Sequence, residues 1–327
     1  MKHTHWILFL LTATFFFACE NSDNDRPMAD TSYNWEEHLP FTTNYQIFSM
    51  PFTEDFEPIP IEKGKVAISE ASGLAYSVKN KDMIWSHNDS GHANVLFLIN
   101  AKTGEIMARY TIIGTVNNDW EDMEISIDAK TKESYLYVAD TGDNNERKLN
   151  YKIYRFKEPV YKQEHYGQNI QLTPEGLSVI NTMYPDGSHD AESLLVDPKT
   201  NDIYLVTKRD VRSILYVLPF PYKTDGSVNA MYKAGTFSFR EASAGTVSLD
   251  GTKIMIKNRQ DIFYWQHNPN QHLWETLAQT PVKAPYVGEP QGEAIAFDKD
   301  NNYFTLSEAL NNNIDPTLYK YIYLKQQ

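Results

Sequence analysis

Acidic residues stand at the starts of short apolar runs, and this placement is the main chemical signal of the sequence. The stretches "NDWEDMEI" (118–125), "SHDAESLLV" (188–196) and "QGEAIAF" (291–297) each carry a glutamate, Glu121, Glu192 and Glu293, at the entry to strand-forming residues. His189 and Asp190 precede the second run. Burying carboxylates is costly unless they are hydrogen-bonded, paired or bound to a cation. Several of them at one point would suit a hard ion such as Ca²⁺, which takes oxygen ligands. Asp140 and Asp143 in "ADTGDNN" offer more of the same chemistry. A second set of polar residues closes the following apolar runs: His87 and Asp89 in "SHNDSGH", Lys208 and Arg209 in "TKRD", Lys257 and Arg259 in "KNRQ", and Glu308 in "SEA". Their mixture of acids, bases and histidines suits a ligand with polar groups.

These residues belong to a repeat. The acidic entries align with "SGLAYSVKNKD" (72–82) and "AGTVSLDGTK" (244–253), which places Ser72, Glu121, Glu192, Gly245 and Glu293 at one position. The spacing is roughly 50 residues, with one longer interval of about 70 between Glu121 and Glu192. Each copy continues with a polar turn, a second strand such as "YLYVADTGD", a third such as "YKIYRFKEP", and in the first four copies a fourth. Alternating β-branched and aromatic residues support strands throughout. Four antiparallel strands repeated in this way predict an all-β fold, a β-propeller of five four-stranded blades. A sixth blade inside the long interval, around "NIQLTPEGLSVINTMYPDG", is the alternative. The last copy has three strands, so the N-terminal segment within 44–66 is expected to supply the fourth and close the ring. In a propeller the first strand of each blade lines the channel, and the loops entering it lie beside the loops leaving the second strand. The geometry therefore brings the residues named above to one mouth of the channel. There the glutamates could share a cation, or could bond backbone amides of a neighbouring blade.

The N-terminus follows other rules. "MKHTHWILFLLTATFFFAC" has a basic start, an apolar run too short to span a bilayer, and Ala18 before Cys19, the only cysteine in the chain. It reads as a signal peptide over 1–18. "FFAC" resembles a loose bacterial lipobox, with Phe16 where an aliphatic residue is usual, which implies lipidation of Cys19. The polar, acidic stretch after it predicts a flexible tether over 19–40, ahead of a single propeller domain over 41–327. Acidic residues directly after the cysteine resemble the surface-export signal of Bacteroidota lipoproteins. The expected location is therefore the outer membrane, held by lipid and exposed on its outer face.

A net charge of −13 argues against binding nucleic acid. The hydrolase elbow G-x-S-x-G, the P-loop, the dinucleotide fingerprint and H-E-x-x-H are all absent, so no specific catalytic motif is present. The combined pattern "IWSHNDSG…NDWEDMEI…LYVADTGDNNERK…HDAESLLVDP…IYLVTKRD…QGEAIAFD" resembles uncharacterised secreted bacterial propellers over residues 69–324. It is more distantly similar to phytase-like and esterase-like-phytase propellers. In those, calcium and Lys or Arg side chains at a channel mouth hold phosphates, but no phytase motif matches residue by residue. Three functions stay open: a monomeric propeller binding a small molecule or protein at its mouth with Ca²⁺, a calcium-dependent phosphoesterase, and an accessory component of a surface glycan-uptake system.

Overall fold

The computed structural model describes residues 33–309 and 314–325. The signal peptide and Cys19 lie outside these residues. Five sheets stand in a ring, each built on antiparallel strands of one blade with its first strand at the centre. These inner strands are Ala71–Tyr76, Trp120–Ile127, Ala191–Val196, Ala244–Val247 and Gly292–Phe297, for blades 1 to 5 in order. The protein is a five-bladed β-propeller.

Burial explains why the inner strands form. Nearly every residue in them is buried, because both faces pack against neighbouring blades and the third side lines the axis. Apolar clusters fill the wedges between blades. Between blades 1 and 2, for example, Trp85, Tyr110, Trp120, Met123 and Phe156 pack together. Trp120 is buried there, edge-on to His87, and its indole N–H donates to Val116 O at 3.0 Å.

The ring closes as the sequence predicts. Ile61–Lys65 pairs antiparallel with Thr317–Tyr321 and completes blade 5. The long interval hides no sixth blade. Its first strand, Asn169–Leu172, leaves blade 2 and adds in parallel to the outer edge of blade 1. Its second, Ser178–Met183, returns as the fourth strand of blade 2. Blade 3 does the same, lending Val228–Ala230 to blade 2. The N-terminal segment covers the outer edges of two more blades, with Phe41–Thr42 on blade 3 and a bridge from Phe52 to Lys283 on blade 4. Free strand edges invite association with other chains, and these loans cover four of the five. The packed region also begins ahead of the boundary expected at 41. Trp35 is buried in the core that joins blades 3 and 4, and the His38 ring nitrogens contact Tyr33 OH and Ala234 O at 2.7 and 2.9 Å.

Bulges at the inner strands set the phase of the site. The pairing register shifts at Glu121, Glu192 and Glu293 in blades 2, 3 and 5, and at Gly73 in blade 1. The blade 1 equivalent of the glutamates is thus Gly73 rather than Ser72. Gly73 has φ +75°, and a Cβ there would meet Met123 N at 2.7 Å and His87 Nε2 at 2.8 Å. No side chain fits, so blade 1 sends no carboxylate from this position.

Candidate functional site

Four blades contribute carboxylates to one end of the ring. Asp89, Asp119 and Glu121 can bring oxygens within 4.8 Å of one another, and so can Glu121, Asp190 and Glu192, and Asp89, Glu293 and Glu308. Glu121 and Asp89 each belong to two of these trios, so the three sites run together. Loops hold them in place. Asp143 accepts from the Arg147 and Lys148 amides at 2.7 and 2.6 Å and from Tyr151 OH at 3.1 Å, while its own amide donates to Asp190 Oδ1 at 2.7 Å. Asp140 accepts from Asn118 Nδ2 at 2.6 Å and the Asp119 amide at 2.8 Å. Asp140 and Asp143, expected as metal ligands, are therefore occupied as braces of the loops that carry Asp119 and Asp190. The glycine of "DTGD" also has a steric reason. A Cβ on Gly142 would lie 1.9 Å from Glu121 Oε1 and 2.8 Å from Asp119 Oδ2, so only glycine lets the loop approach these acids.

The cations are unevenly shared. Lys208 Nζ bonds Glu192 and lies 3.1 Å from Glu293 Oε1. Arg209 Nε sits 2.7 Å from Asp190 Oδ2, and its other end reaches Asn144. Arg259 donates to Gln291 at 2.9 Å and lies 4.0 Å from Glu293. Lys148 pairs with Asp119 at 3.2 Å. Glu121 is only 2% exposed, and the charges acting most strongly on it are the carboxylates of Glu192, Asp89, Asp190 and Asp119.

The proton affinities follow from these partners. Burial, and then the neighbouring carboxylates, hold the Glu121 carboxyl well above its ordinary value. Burial raises Glu192 as well, against the pull of Lys208. In Glu293, burial is outweighed by Lys208 and Arg259, and the carboxyl stays ionised below its usual range. Burial and then Glu293 push Glu308 up to about 8, so Glu308 keeps a proton to share with Glu293 at neutral pH. Asp89 is pushed up to about 6 by burial, with Asp119 and Glu293 adding. Lys208 is desolvated, yet Glu192 and Glu293 hold it firmly charged.

Other expected site residues face elsewhere. His87 is fully buried behind the mouth, its ring against Trp120, and burial pushes its pKa down to about 4. His189 turns to the flank of the ring, where Asp210, Asp186 and Tyr216 surround it at 3.1, 3.2 and 2.8 Å. Lys257 is sealed between blades 4 and 5, bonded to Gly292 O, with Tyr286 OH at 3.3 Å and Glu289 at 4.0 Å. Asp190, Glu192, Glu121, Glu293, Glu308, Asp89, Lys208, Arg209 and Arg259 are the expected residues that the fold brings to the mouth.

Two acids below the mouth have a different role. Asp122 is fully buried and accepts from the Met123 and Leu194 amides at 2.8 Å and from Gly245 N at 3.0 Å. Glu124 accepts from Ile125 N at 2.9 Å and, across the ring, from Val247 N at 2.8 Å. Bonding of backbone amides in other blades, open for Glu121, Glu192 and Glu293, is thus carried by Asp122 and Glu124 of blade 2. The "i, i+2" spacing of two acids in an inner strand was the available signal, since it puts both on one face.

No family model and no curated protein matches the chain. Several solved structures show a distant likeness to it. A gluconolactonase from Xanthomonas campestris is 11% identical over 88% of this chain and 96% of that one, with a TM-score of 0.43. A carbohydrate-active enzyme of family AA12 from Trichoderma reesei is 9% identical over 87% and 100%, with a TM-score of 0.46. A chain of the nidogen/laminin complex is 12% identical over 73% and 72%, with a TM-score of 0.42.

Proposed function

We propose that this protein is an exported, lipid-anchored propeller that holds a divalent cation of the Ca²⁺ type at its channel mouth and binds a ligand through it. The observation that carries the reading is Glu121, a buried carboxylate whose strongest charged neighbours are four other carboxylates. Leaving such a group ionised is costly unless positive charge is added. Glu121, Asp190 and Glu192 on one side, with Asp89 and Asp119 on the other, would supply the oxygen ligands. Ca²⁺ takes six to eight oxygens, so positions would remain for water and for a ligand. A cation-dependent phosphoesterase is the second reading, favoured by Arg209 standing beside Asp190 and Arg259 near Glu293. Export, the lipid on Cys19 and the outer-membrane location rest on the N-terminal sequence alone.

Calorimetry of the purified chain with Ca²⁺, followed by melting with Ca²⁺ or EDTA, tests the reading. At a hundredfold excess over Kd a ligand of the native state adds about 2.7 kcal/mol. For a domain of this size that is a rise of roughly 4–5 °C. Glu121→Gln, which keeps the shape and removes the charge, should blunt the response. A melting temperature indifferent to both calcium and chelator would reject the cation. A screen of phosphoesters in the presence of Ca²⁺ decides the second reading.

A further inference from the structure

Beside the acids, over blades 3 and 4, lies a cavity of about 540 Å³ with the opposite charge. Lys208, Arg209, Arg240 and Arg259 line it, with Asp210 and Glu241 as its acids. The volume is within the range of small-molecule sites. Asp210 is already committed to His189. Lys208 and Arg209 point their charge at the mouth, toward Glu192, Glu293 and Asp190. Arg240 does not. Among the described residues its only ion pair is with the adjacent Glu241 at 3.3 Å, both side chains being at least half exposed. Arg259 is also about half exposed, and lies at the 4.0 Å limit of contact with Glu293. Two guanidinium groups therefore face the cavity with capacity to spare.

The wall carrying Arg240 is fixed from both blades. Asn258 Nδ2 donates to Arg240 O at 3.2 Å, and the Glu241 amide donates to Lys208 O at 3.2 Å. Glu241 holds φ +61°, a left-handed conformation that a non-glycine residue adopts at a cost. The loop entering blade 4 is thus pinned where it presents Arg240 to the cavity that Arg259 also lines.

We propose that this cavity binds the oxyanion group of a small ligand, a phosphate or a carboxylate, with Arg240 and Arg259 as its anchors. Guanidinium presents paired N–H donors that match both groups, which a lysine ammonium cannot do. The inference rests on the reading of the mouth as a ligand site and adds the chemical class of that ligand. Anion held in the cavity would lie against Lys208, the residue that joins the basic wall to Glu192 and Glu293.

The test uses the full chain and three probes that share a phenyl ring: phenyl phosphate, benzoate and the uncharged phenyl β-glucoside. Each is titrated by calorimetry with Ca²⁺ and again with EDTA. One or both anions should bind and the glucoside should not, and the preference between phosphate and carboxylate names the group. Added salt should weaken the binding. Arg240→Gln and Arg259→Gln should each weaken it by on the order of tenfold, one charge-assisted contact, and Arg240→Gln, which touches none of the clustered acids, should hold Ca²⁺ affinity within about twofold. If Arg240→Gln does not fold, Arg240→Lys keeps the charge without the paired donors and should still weaken the anion. Wild-type anion affinity in these variants, equal binding of the glucoside, or no anion binding with or without Ca²⁺ would overturn the inference. Anion binding that depends on both arginines in a chain that ignores Ca²⁺ would sustain it while refuting the cation, and the converse result would do the opposite.

Discussion

The buried carboxylate of Asp122 offers the sharpest test of how the ring is held. It is completely buried and receives three amides, of which Leu194 N belongs to blade 3 and Gly245 N to blade 4. Asp122→Ala removes the acceptor and leaves both inter-blade amides unpaired beside the axis. An unsatisfied buried amide costs about 1–3 kcal/mol, so the substitution should cost roughly 2–6 kcal/mol. Asp122→Asn retains one oxygen, which can serve Leu194 and Gly245, but sets an amide N–H against Met123 N. Its cost should be smaller, about 1–2 kcal/mol. The pH dependence adds a second readout. Burial raises the Asp122 pKa against its three hydrogen bonds. A raised acid binds its proton more tightly in the folded state, so its contribution is full below the unfolded value near 3.9 and declines as pH rises toward the folded value. Asparagine cannot titrate and should remove that part of the slope. Urea denaturation followed by tryptophan fluorescence, with EDTA throughout, measures both effects. If Asp122→Ala falls within about 0.5 kcal/mol of the wild type, or if Asn costs as much as Ala, the carboxylate does not tie the blades and the argument fails.

Other expectations follow from the same structure. Deleting residues up to Lys65 removes Ile61–Lys65 and leaves the Thr317–Tyr321 edge of blade 5 open, so the truncated chain should aggregate on size-exclusion chromatography; a stable monomer would show that this strand does not close the ring. In His189, burial is outweighed by Asp210 and Asp186 and the pKa is raised, so its ion pairs stabilise the fold below about pH 6.5 and fade as pH rises through the folded value. His189→Asn should therefore lower the melting temperature more at pH 5.5 than at pH 8.5, and an equal loss at both would count against charged pairing there. Cys19→Ser should move the protein from the detergent phase to the aqueous phase, and unchanged partitioning would remove the case for a lipid anchor.

Blade number and ring closure were legible because each copy spells out its own strands, with local hairpins and alternating apolar residues. The long interval was ambiguous because its extra strand, Asn169–Leu172, pairs with blade 1 rather than with its sequence neighbours, and no local pattern encodes that loan. Side-chain direction was the other limit. His189 and Lys257 stand at the expected positions in the chain, but one turns to Asp210 and the other to Gly292 and Glu289. The bulges mattered most. A register shift at Glu121 changes which of Glu121 and Asp122 faces the axis, and an extra residue in a strand leaves no mark in a pattern of apolar and polar letters. Arg240 was missed although "FREAS" precedes an inner strand, as the acidic loops do.

The same bulge explains why one strand can serve both structure and site. Along Trp120–Ile127 the regular alternation puts Met123 and Ile125 into the wedge between blades and turns Asp122 and Glu124 toward the axis. There, Glu124 reaches Val247 of blade 4, which is not a neighbouring blade, so at this level the channel is spanned by a side chain. The mouth therefore stands over an acidic floor formed by Asp122 and Glu124. Glu121, displaced by the extra residue, escapes that floor and joins Asp119, Asp190 and Glu192 above it. The acids of the floor are hydrogen-bonded by backbone amides, and those of the rim are paired with Lys208, Arg209 and Arg259. Glu121 lies between the two sets, with no amide or cation of its own among the described residues, and that is the position from which a bound ion would draw its affinity.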